Sequence, residues 1–280
     1  MGERRIDPYT ILALPALAYF LVLFVVPLGL LLAGSVWVGD RFGLDNFGRV
    51  FGDSFQLAVI GRSIGYALTV SLGCLLVGFP FAYAMSRAGP VGQLLLTVAV
   101  VLPMTTSVIV RTFGWQVVLR SNGVINQALL GLGVVDEPLR LLFTWPGLIL
   151  GTVSILLPYM VLSIHAVLRL IPEELMGVAA SLGASPAYRL THVLLPLSLP
   201  GVISGFGFVF SMAISAYVIP SLLTGAGYKV LSKVIANAFL VVHDPALGAA
   251  ASVVLLAIAG SAIALAGWAS AALAARTRGR

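Results

Sequence analysis

Hydrophobic residues dominate six long stretches of the chain, and none of these stretches contains Asp, Glu, Lys or Arg. The charge-free stretches are residues 8–39, 63–86, 88–110, 141–168, 190–228 and 245–275. A helix needs about 20 mainly apolar residues to cross a hydrocarbon core of about 30 Å. Each stretch therefore predicts one membrane-spanning helix. We expect these helices at residues 11–36, 63–86, 94–119, 146–170, 199–223 and 247–274.

The composition agrees with a lipid environment. Hydrophobic residues make up 60% of the chain and charged residues 9%, with a mean hydropathy of +1.07, whereas about a quarter of a soluble domain is charged. No polar stretch is long enough for a separate soluble domain, so we predict one all-α transmembrane domain over residues 1–280. The net charge of +6 does not indicate nucleic-acid binding, because the basic residues are scattered rather than clustered on one face.

The first apolar stretch is interpreted as a retained helix rather than a cleaved signal peptide. Its apolar core, residues 11–32, is longer than the 7–15 residues of a cleavable signal. The distribution of Lys and Arg predicts the orientation. Eight fall inside and seven outside if both termini are cytoplasmic, and the inside segments are shorter. The positive-inside rule therefore favours cytoplasmic termini.

The segment 172–196, between the fourth and fifth predicted spans, is too polar to cross the membrane but carries helix signals. It begins with a proline, which suits a first helical position. Glu173 and Glu174 follow in the first turn, where carboxylates interact favourably with the helix dipole. Gly183 is typical of a helix end, and Ser185 before a proline is typical of a new helix start. We expect a helix, a corner and a second helix.

Two interpretations of this segment are open before any family is considered. It either lies on the bilayer surface as an amphipathic connector or docks against another protein. Surface-bound helices are usually rich in Lys and Arg, whereas Arg189 is the only basic residue here, which favours docking. We expect the second helix to end at Pro196. Small residues would let a partner's backbone approach, and these are Gly177, Ala179, Ala180 and Ala184.

The same segment resembles a cytoplasmic motif, E-A-A-x3-G-x9-I-x-L-P, of permease subunits in binding-protein-dependent ABC importers. Gly177-Val-Ala, Gly183 and Val193-Leu-Leu-Pro196 occupy its positions with the family's Gly-to-Pro spacing. The resemblance implies a type I importer permease fold in which this segment, named the coupling element, contacts the ATPase. The residues it assigns to coupling are Glu173, Glu174, Gly177, Val178, Ala179, Gly183, Ala184, Ser185 and Pro196.

One position departs from the motif. Gly177 stands where the family has an acidic residue that helps to hold the coupling helix in a cleft of the ATPase. Glu173 and Glu174 lie four and three residues earlier, and therefore on the same helical face. We hypothesise that one of them supplies the missing carboxylate.

Further stretches are similar to the polyamine (spermidine/putrescine) branch of the family. These stretches are residues 78–83, 110–115, 122–126 and 239–250, the last including Asp244-Pro245. The resemblance implies a bacterial inner-membrane importer with a second, similar permease subunit, two ATPase subunits that hold ATP and Mg, and an extracytoplasmic binding protein. It implies no cofactor on this chain. Related branches carry iron, sulfate, thiamine or phosphonates, so these substrates stay open.

Motifs for catalysis or nucleotide binding are not found in the sequence. The only lysines, Lys229 and Lys233, follow Tyr and Ser, whereas a P-loop requires Gly-Lys followed by Ser or Thr. No histidine sits in a metal-binding pattern. Residues 61–65 match G-x-S-x-G, but that elbow requires a strand-to-helix turn. We interpret their glycines as helix-packing positions, like the pairs 147/151 and 201/205, and predict a non-enzymatic subunit that relies on a partner for ATP hydrolysis.

Polar and aromatic residues within the spans are candidates for the solute pathway. Arg111 is the one charge well inside a predicted span, at a cost of roughly 2.5–3.5 kcal/mol, so it either lines the pathway or ties helices together. The candidates are Arg111, Trp115, Tyr159, Ser215 and Tyr217. The charge-free stretches contain no carboxylate for a polycation, so either the partner subunit supplies one or the substrate is different. The same lack argues against an ion-coupled secondary transporter or channel.

Overall fold

The structure is a computed structural model that describes residues 15–38, 41–172, 174–225 and 228–278. Over these residues the helices are α1 (Pro15–Val36), α2 (Asp45–Gly52), α3 (Ser54–Arg87), α4 (Pro90–Val101), α5 (Val108–Leu119), α6 (Val124–Gly131), α7 (Trp145–Leu168), α8 (Glu174–Ser181), α9 (Pro186–Ser215), α10 (Val218–Leu223), α11 (Leu231–Val242) and α12 (Pro245–Arg278). A short antiparallel pair, β1 (Trp37–Val38) and β2 (Arg41–Phe42), follows α1, with Trp37 opposite Phe42.

Within the described residues, five helices are long and apolar enough to cross a membrane by themselves, namely α1, α3, α7, α9 and α12. The third predicted span is instead a bent pair, Pro90–Thr105 and Val108–Gly131, with an angle of 101° between its arms. The helix is interrupted because Thr106 is extended (φ −90°, ψ 145°). Ser107 then begins the next helix, since its Oγ accepts a hydrogen bond from the backbone N–H of Ile109 at 3.3 Å and so satisfies an end-of-helix donor.

An ion pair supports counting the bent pair as one crossing of the membrane. Arg49 Nη2 donates to Asp244 Oδ2 at 2.5 Å, so the chain just before α3 and just before α12 meets on one side. The intervening chain must therefore cross an even number of times. Because α3, α7 and α9 supply three crossings, the bent pair supplies the fourth, and the fold has six spans.

The second span is longer than its charge-free stretch. It begins at Ser54 rather than residue 63, because Asp53 caps it by accepting a hydrogen bond from the Phe55 N–H at 2.9 Å. Arg62 does not end the helix, since its Nε donates to the Ala58 carbonyl one turn earlier at 3.1 Å. The absence of charge therefore marks the apolar part of this helix and not its ends.

The chain divides into two compact units. The smaller comprises the residues up to Leu57 and Val234–Val254. Its buried Asn46 donates from Nδ2 to the carbonyl oxygens of Ser35 at 3.1 Å and Trp37 at 3.2 Å. These bonds satisfy acceptors where α1 ends.

The larger unit comprises Ala58–Lys233 and the chain from Leu255. Its core lies where α9 packs on α7. A Cβ added at Gly201 would lie 2.9 Å from Val167 Cγ2, and one at Gly205 would lie 3.0 Å from Met160 Sδ, so only glycine permits this close approach. The packing prediction is confirmed for these two glycines.

The other two glycine pairs differ in how closely neighbouring atoms approach them. A Cβ at Gly151 would lie 2.6 Å from Leu223 Cδ1 of α10, so helix packing is confirmed there. One at Gly147 would collide with the carbonyl oxygen of Leu141, which lies outside the helices, so this glycine permits a close approach of the preceding loop and not of another helix. Added Cβ atoms at Gly61 and Gly65 have no heavy atom within 4 Å. The packing prediction is therefore wrong for this third pair within the part of the chain described, because the helix surface there is open.

Candidate coupling element and solute pathway

The coupling element forms the predicted helix, corner and helix. Gly183 adopts φ +83°, a left-handed conformation that costs other L-residues roughly 1–2 kcal/mol. The N–H of Ala184 donates to Ala179 and the N–H of Gly183 to Ala180, both at 3.0 Å, which is the Schellman pattern that satisfies the last carbonyls of a helix. Ser185 Oγ accepts from the Tyr188 N–H at 3.2 Å. The predicted end and restart of the helix are confirmed.

The expected end of the second helix at Pro196 is wrong. The helix α9 runs from Pro186 to Ser215 without interruption. It passes through a π-helical turn, Leu190–Leu194, and returns to α-helical geometry at Leu195. Proline lacks a backbone N–H, and a position at the start of a hydrogen-bonding register tolerates that loss. Pro196 is therefore accommodated at the change of register, and the coupling element continues directly into the fifth span.

The coupling element presents an apolar surface. Leu175 is 43% exposed, Val178 57%, Leu182 81% and Tyr188 53%. Full burial of such a side chain contributes about 1.5–3 kcal/mol of favourable free energy, so a protein partner that covers these side chains would be bound more tightly. Pro196 and Ser185 are also exposed, whereas Ala179 and Ala184 are half-buried.

Two contacts hold α8 in place beneath that surface. Arg189 Nη1 donates to the Met176 carbonyl at 3.4 Å, which ties α9 to α8. The half-buried Met176 side chain packs against the core of the larger unit. The apolar surface is therefore presented by an anchored helix, as a docking surface requires.

The hypothesis that Glu173 or Glu174 supplies the missing carboxylate concerns the start of α8. Glu174 is the first residue of α8 and is exposed, one turn before Gly177. A Cβ added at Gly177 has no heavy atom within 4 Å, so a side chain can start at this position without a collision within the described chain. Glu173 lies outside the described residues.

Two pathway candidates lie together against α7. Arg111 Nη1 is 3.5 Å from the Ile155 carbonyl oxygen, and one turn later the Trp115 side chain lies beside Gly151, whose added Cβ would be 3.6 Å from Trp115 Cγ. The two side chains thus share one face, as predicted. The Arg111 Nε is buried without a hydrogen-bond partner among the described residues. For Arg111, this placement favours a structural contact with α7 over a contact with the solute.

The other pathway candidates lie on different elements. The Tyr159 ring packs on Phe208 with centroids 5.8 Å apart. Ser215 ends α9, and its Oγ donates to the Ser211 carbonyl at 2.6 Å. Tyr217 is 45% exposed at a break after Ala216, whose backbone is extended (φ −62°, ψ 126°). The predicted helix 199–223 is therefore two helices, α9 and α10.

Side chains brace this break. Ser232 Oγ donates to the Ala216 carbonyl at 2.7 Å. Lys233 Nζ donates to the Gly225 carbonyl at 2.8 Å and to Thr224 Oγ1 at 3.1 Å. Burial, and secondly the charge of Lys229, lower the pKa of Lys233. Interrupted helices in transporters place main-chain groups near the solute, so this break is the second candidate part of the pathway.

One polar site has no counterpart among the residues selected from sequence. A groove of about 580 Å³ in the smaller unit is lined by Asp45, Asp53 and Gln56 beside the Arg49–Asp244 pair. The partners of that pair are 195 residues apart, so no local periodicity connects them. The positions of the acidic residues are the one sequence signal for this groove, because four of the ten occur near the ends of the first, second and sixth spans. These four are Asp40, Asp45, Asp53 and Asp244.

Comparisons with known proteins agree with this architecture. Residues 7–279 match the family described as "Binding-protein-dependent transport system inner membrane component". The spermidine/putrescine transport system permease protein PotB of Escherichia coli (strain K12) is 32% identical over 249 residues, which cover 86% of this chain and 90% of that protein.

Two crystal structures share the fold. A bacterial ABC transporter involved in the import of the acidic polysaccharide alginate matches with a TM-score of 0.71 and 21% identity, over 94% of each chain. The alginate transporter in complex with an alginate pentasaccharide-bound periplasmic protein matches with a TM-score of 0.69 and 21% identity, over 92% of this chain and 91% of that chain. The chain therefore belongs to the family of binding-protein-dependent transport system inner membrane components, and it is a transmembrane permease subunit of an ABC importer.

Proposed function

We propose that this chain forms part of the translocation pathway of an ATP-driven polyamine importer. The substrate assignment rests on the 32% identity to a spermidine/putrescine permease over 86% of this chain. The alginate transporter has the same fold, so the fold alone does not select a substrate. Thiamine, phosphonate, sulfate and iron are the competing substrates of related branches.

The assembly in this proposal contains four kinds of partner. A second, similar permease completes the pore, and two ATPase subunits bind ATP and Mg and dock on the coupling elements. An extracytoplasmic binding protein delivers the solute, and lipid surrounds the spans. The permease chain itself binds no cofactor. Support for docking comes from the exposed apolar side chains of Leu175, Val178 and Leu182.

The orientation follows from the order of the spans. With six crossings, both termini share one side in this proposal, and the coupling element, which follows the fourth crossing, shares that side. Because ATP is hydrolysed in the cytoplasm, both termini are cytoplasmic in the bacterial inner membrane. The segments 41–53 and 243–244, which follow the first and precede the sixth span, then face outward.

The continuity of α9 suggests how ATPase movement reaches the pore. A displacement of the coupling element moves the start of a 30-residue helix rather than a flexible linker. Close packing at Gly201 and Gly205 couples α9 to α7, so both shift together. The break after Ala216 lets the outer end of the fifth span respond separately. ATP binding would thereby switch the pathway between inward-open and outward-open states.

The described part of the six spans contains no Asp or Glu. In this proposal the second permease supplies carboxylates for the polycation in the membrane. This chain contributes aromatic rings, including Trp115 and Tyr217, and main-chain oxygens at the break. Aromatic faces attract organic cations.

The substrate is tested by reconstitution. The chain, its second permease and the ATPase are placed in liposomes with the binding protein, and uptake of radiolabelled spermidine and putrescine is measured with and without ATP. We expect uptake that requires ATP and stops with a hydrolysis-deficient ATPase. Uptake of thiamine, phosphonate, sulfate or iron without polyamine uptake would reject the substrate, and uptake without ATP would reject the transporter class.

The acidic hypothesis for coupling is tested by loss and rescue. We expect the double substitution Glu173→Ala/Glu174→Ala to reduce both recovery of the ATPase with the permease and ATP-dependent uptake. Adding Gly177→Glu restores the carboxylate at the motif position and should recover both. Asp136→Asn/Glu137→Gln is the charge-matched control. Normal assembly and uptake in the double variant would contradict the hypothesis.

A further inference from the structure

The groove in the smaller unit has acidic walls. It has a volume of about 580 Å³ and opens between α2, the start of α3 and the start of α12, where Leu247 contributes an apolar edge. Arg49, the cation in its wall, pairs with Asp244. Among the described residues neither Asp45 nor Asp53 forms an ion pair.

A buried amide gives an independent sign of a missing ligand. Gln56, which also lines the groove, is only 6% exposed. Its Oε1 is buried and accepts no hydrogen bond from the described residues. A buried acceptor without a donor costs free energy, and a ligand that carries N–H groups would satisfy it.

The α2 side of the groove lacks side chains that would fill it. Gly48 and Gly52 both line the groove, and a Cβ added at either has no heavy atom within 4 Å. The methyl group of an alanine would fit either position without a collision within the described chain. Glycine at both therefore leaves space beside Asp45 and Asp53 that packing does not require.

We propose that this groove binds a protonated amine, as an entry site for one end of a polyamine. An ammonium group has three N–H donors, and the groove offers the carboxylates of Asp45 and Asp53, together with Gln56, whose enclosed Oε1 lacks a hydrogen-bond donor. The described residues contain no cluster of three or more His, Cys, Asp or Glu side chains able to hold a metal ion. A protonated amine therefore fits these oxygen acceptors better than a divalent cation does.

The position of the groove in the chain suits an entry site. It is formed by residues that follow the first span and precede the second and sixth. In the orientation proposed above, these segments are extracytoplasmic. A polyamine released by the binding protein would meet this groove before the membrane interior, where this chain has no carboxylate. The inference rests on the proposed substrate.

Binding is tested first without transport. The assembled permease–ATPase complex, in nanodiscs and without binding protein, is unfolded thermally in increasing spermidine, putrescine or Mg²⁺. We expect both polyamines to raise the unfolding temperature. Asp45→Asn/Asp53→Asn should raise the spermidine concentration needed for half of that effect by about tenfold. Equal stabilisation by Mg²⁺ at the same concentration would overturn the assignment to an amine.

Two further variants keep the test specific. Gly48→Leu fills the groove and replaces a helical glycine, so it should preserve folding yet weaken the spermidine effect to a similar degree. Asp136→Asn/Glu137→Gln removes the same charge from an exposed loop outside the groove and should leave the effect unchanged. An equal loss in this control would show general charge attraction instead, and an unchanged response in both groove variants would also reject the site.

Uptake separates this inference from the proposed function. In liposomes with the polyamine-loaded binding protein at low concentration, we expect the two groove variants to slow ATP-dependent uptake while the loop variant does not. If the unmodified importer takes up no polyamine, the substrate proposal fails. If it takes up polyamine and the groove variants match it in both assays, only the entry site fails.

Discussion

The Arg111 guanidinium lies 3.5 Å from the carbonyl oxygen of Ile155, a residue ten positions after Trp145 in the 24-residue helix α7. At 1.5 Å per residue, ten positions correspond to about 15 Å. The contact is therefore near the middle of the fourth span, where a charge is costly. Its location decides how a substitution at Arg111 should behave.

Replacing Arg111 with methionine keeps the length of the side chain and removes its charge. Since the guanidinium contacts the α7 main chain, we expect the free energy of unfolding to fall by about 1 kcal/mol and the apparent KM for solute to stay within about twofold. Thermal unfolding in detergent and initial uptake rates measure the two effects. A large rise in KM at unchanged stability would instead identify Arg111 as a solute contact.

Gly183→Ala should strain the corner of the coupling element. At φ +83° a side chain costs roughly 1–2 kcal/mol, so we expect the corner to shift and less ATPase to be recovered with the permease. Gly65→Ala is the matched control, because this helical position is open and lies outside the coupling element, and alanine favours the helix by about 0.5–1 kcal/mol. Affinity purification of the tagged permease measures recovery, and equal recovery with both variants would contradict the strained-corner explanation.

Gly201→Ala should weaken the packing of α9 on α7. The new methyl group would meet Val167 Cγ2 at 2.9 Å and the Ser163 carbonyl oxygen at 3.0 Å, and such overpacking costs about 1–3 kcal/mol. Gly267→Ala adds the same methyl group to α12 with no heavy atom within 4 Å. We expect only Gly201→Ala to lower the unfolding temperature in detergent. Equal unfolding temperatures for both variants would show that the interface between α9 and α7 adjusts to the added methyl group without loss of stability.

Asp244 should make stability depend on pH. The hydrogen bond from Arg49, and then that from the Leu247 N–H, lower the pKa of this carboxyl, against a smaller opposing effect of burial. A lowered folded-state pKa means that the stabilisation is complete above the ordinary carboxyl pKa and is lost as pH falls through the folded-state value. An exposed pair contributes about 0.2–1 kcal/mol.

The variants Asp244→Asn and Asp244→Ala separate the two interactions. Asparagine keeps an oxygen for the Leu247 N–H but loses the charge, so it should remove the pH dependence at a smaller total cost than alanine. Unfolding temperatures recorded from neutral to acidic pH provide the measurement. A pH profile for Asp244→Asn that matches the unmodified chain would assign the dependence to another group.

Local patterns predict much of this molecule. Charge-free stretches locate the spans, and Gly183 and Ser185 mark the corner because caps depend on neighbouring residues alone. The helix end at Pro196 is mispredicted because the change of register at the π-helical turn Leu190–Leu194 accommodates the missing N–H, and no local residue pattern signals that turn. The break after Ala216 is missed for a similar reason, since its carbonyl is satisfied by Ser232, sixteen residues away.

The candidate site divides in the same way. The coupling element is local and carries a spaced motif, so its geometry is accessible from sequence. The groove is not, because Gln56 and Leu247 line the same space although nearly two hundred residues separate them. The sequence also cannot show whether Arg111 faces a cavity or a helix, because that depends on which face of α5 meets α7.

The ion pair between Arg49 and Asp244 also bears on biosynthesis. The smaller unit draws its residues from both ends of the chain, up to Leu57 and from Val234 to Val254. A ribosome releases these segments in order, so the first span waits in the bilayer while the next four are inserted. Its outer end is fastened only after Asp244 emerges. A nascent chain that stops before Asp244 therefore leaves this unit incomplete, and the pair can close only after the first five spans have been made.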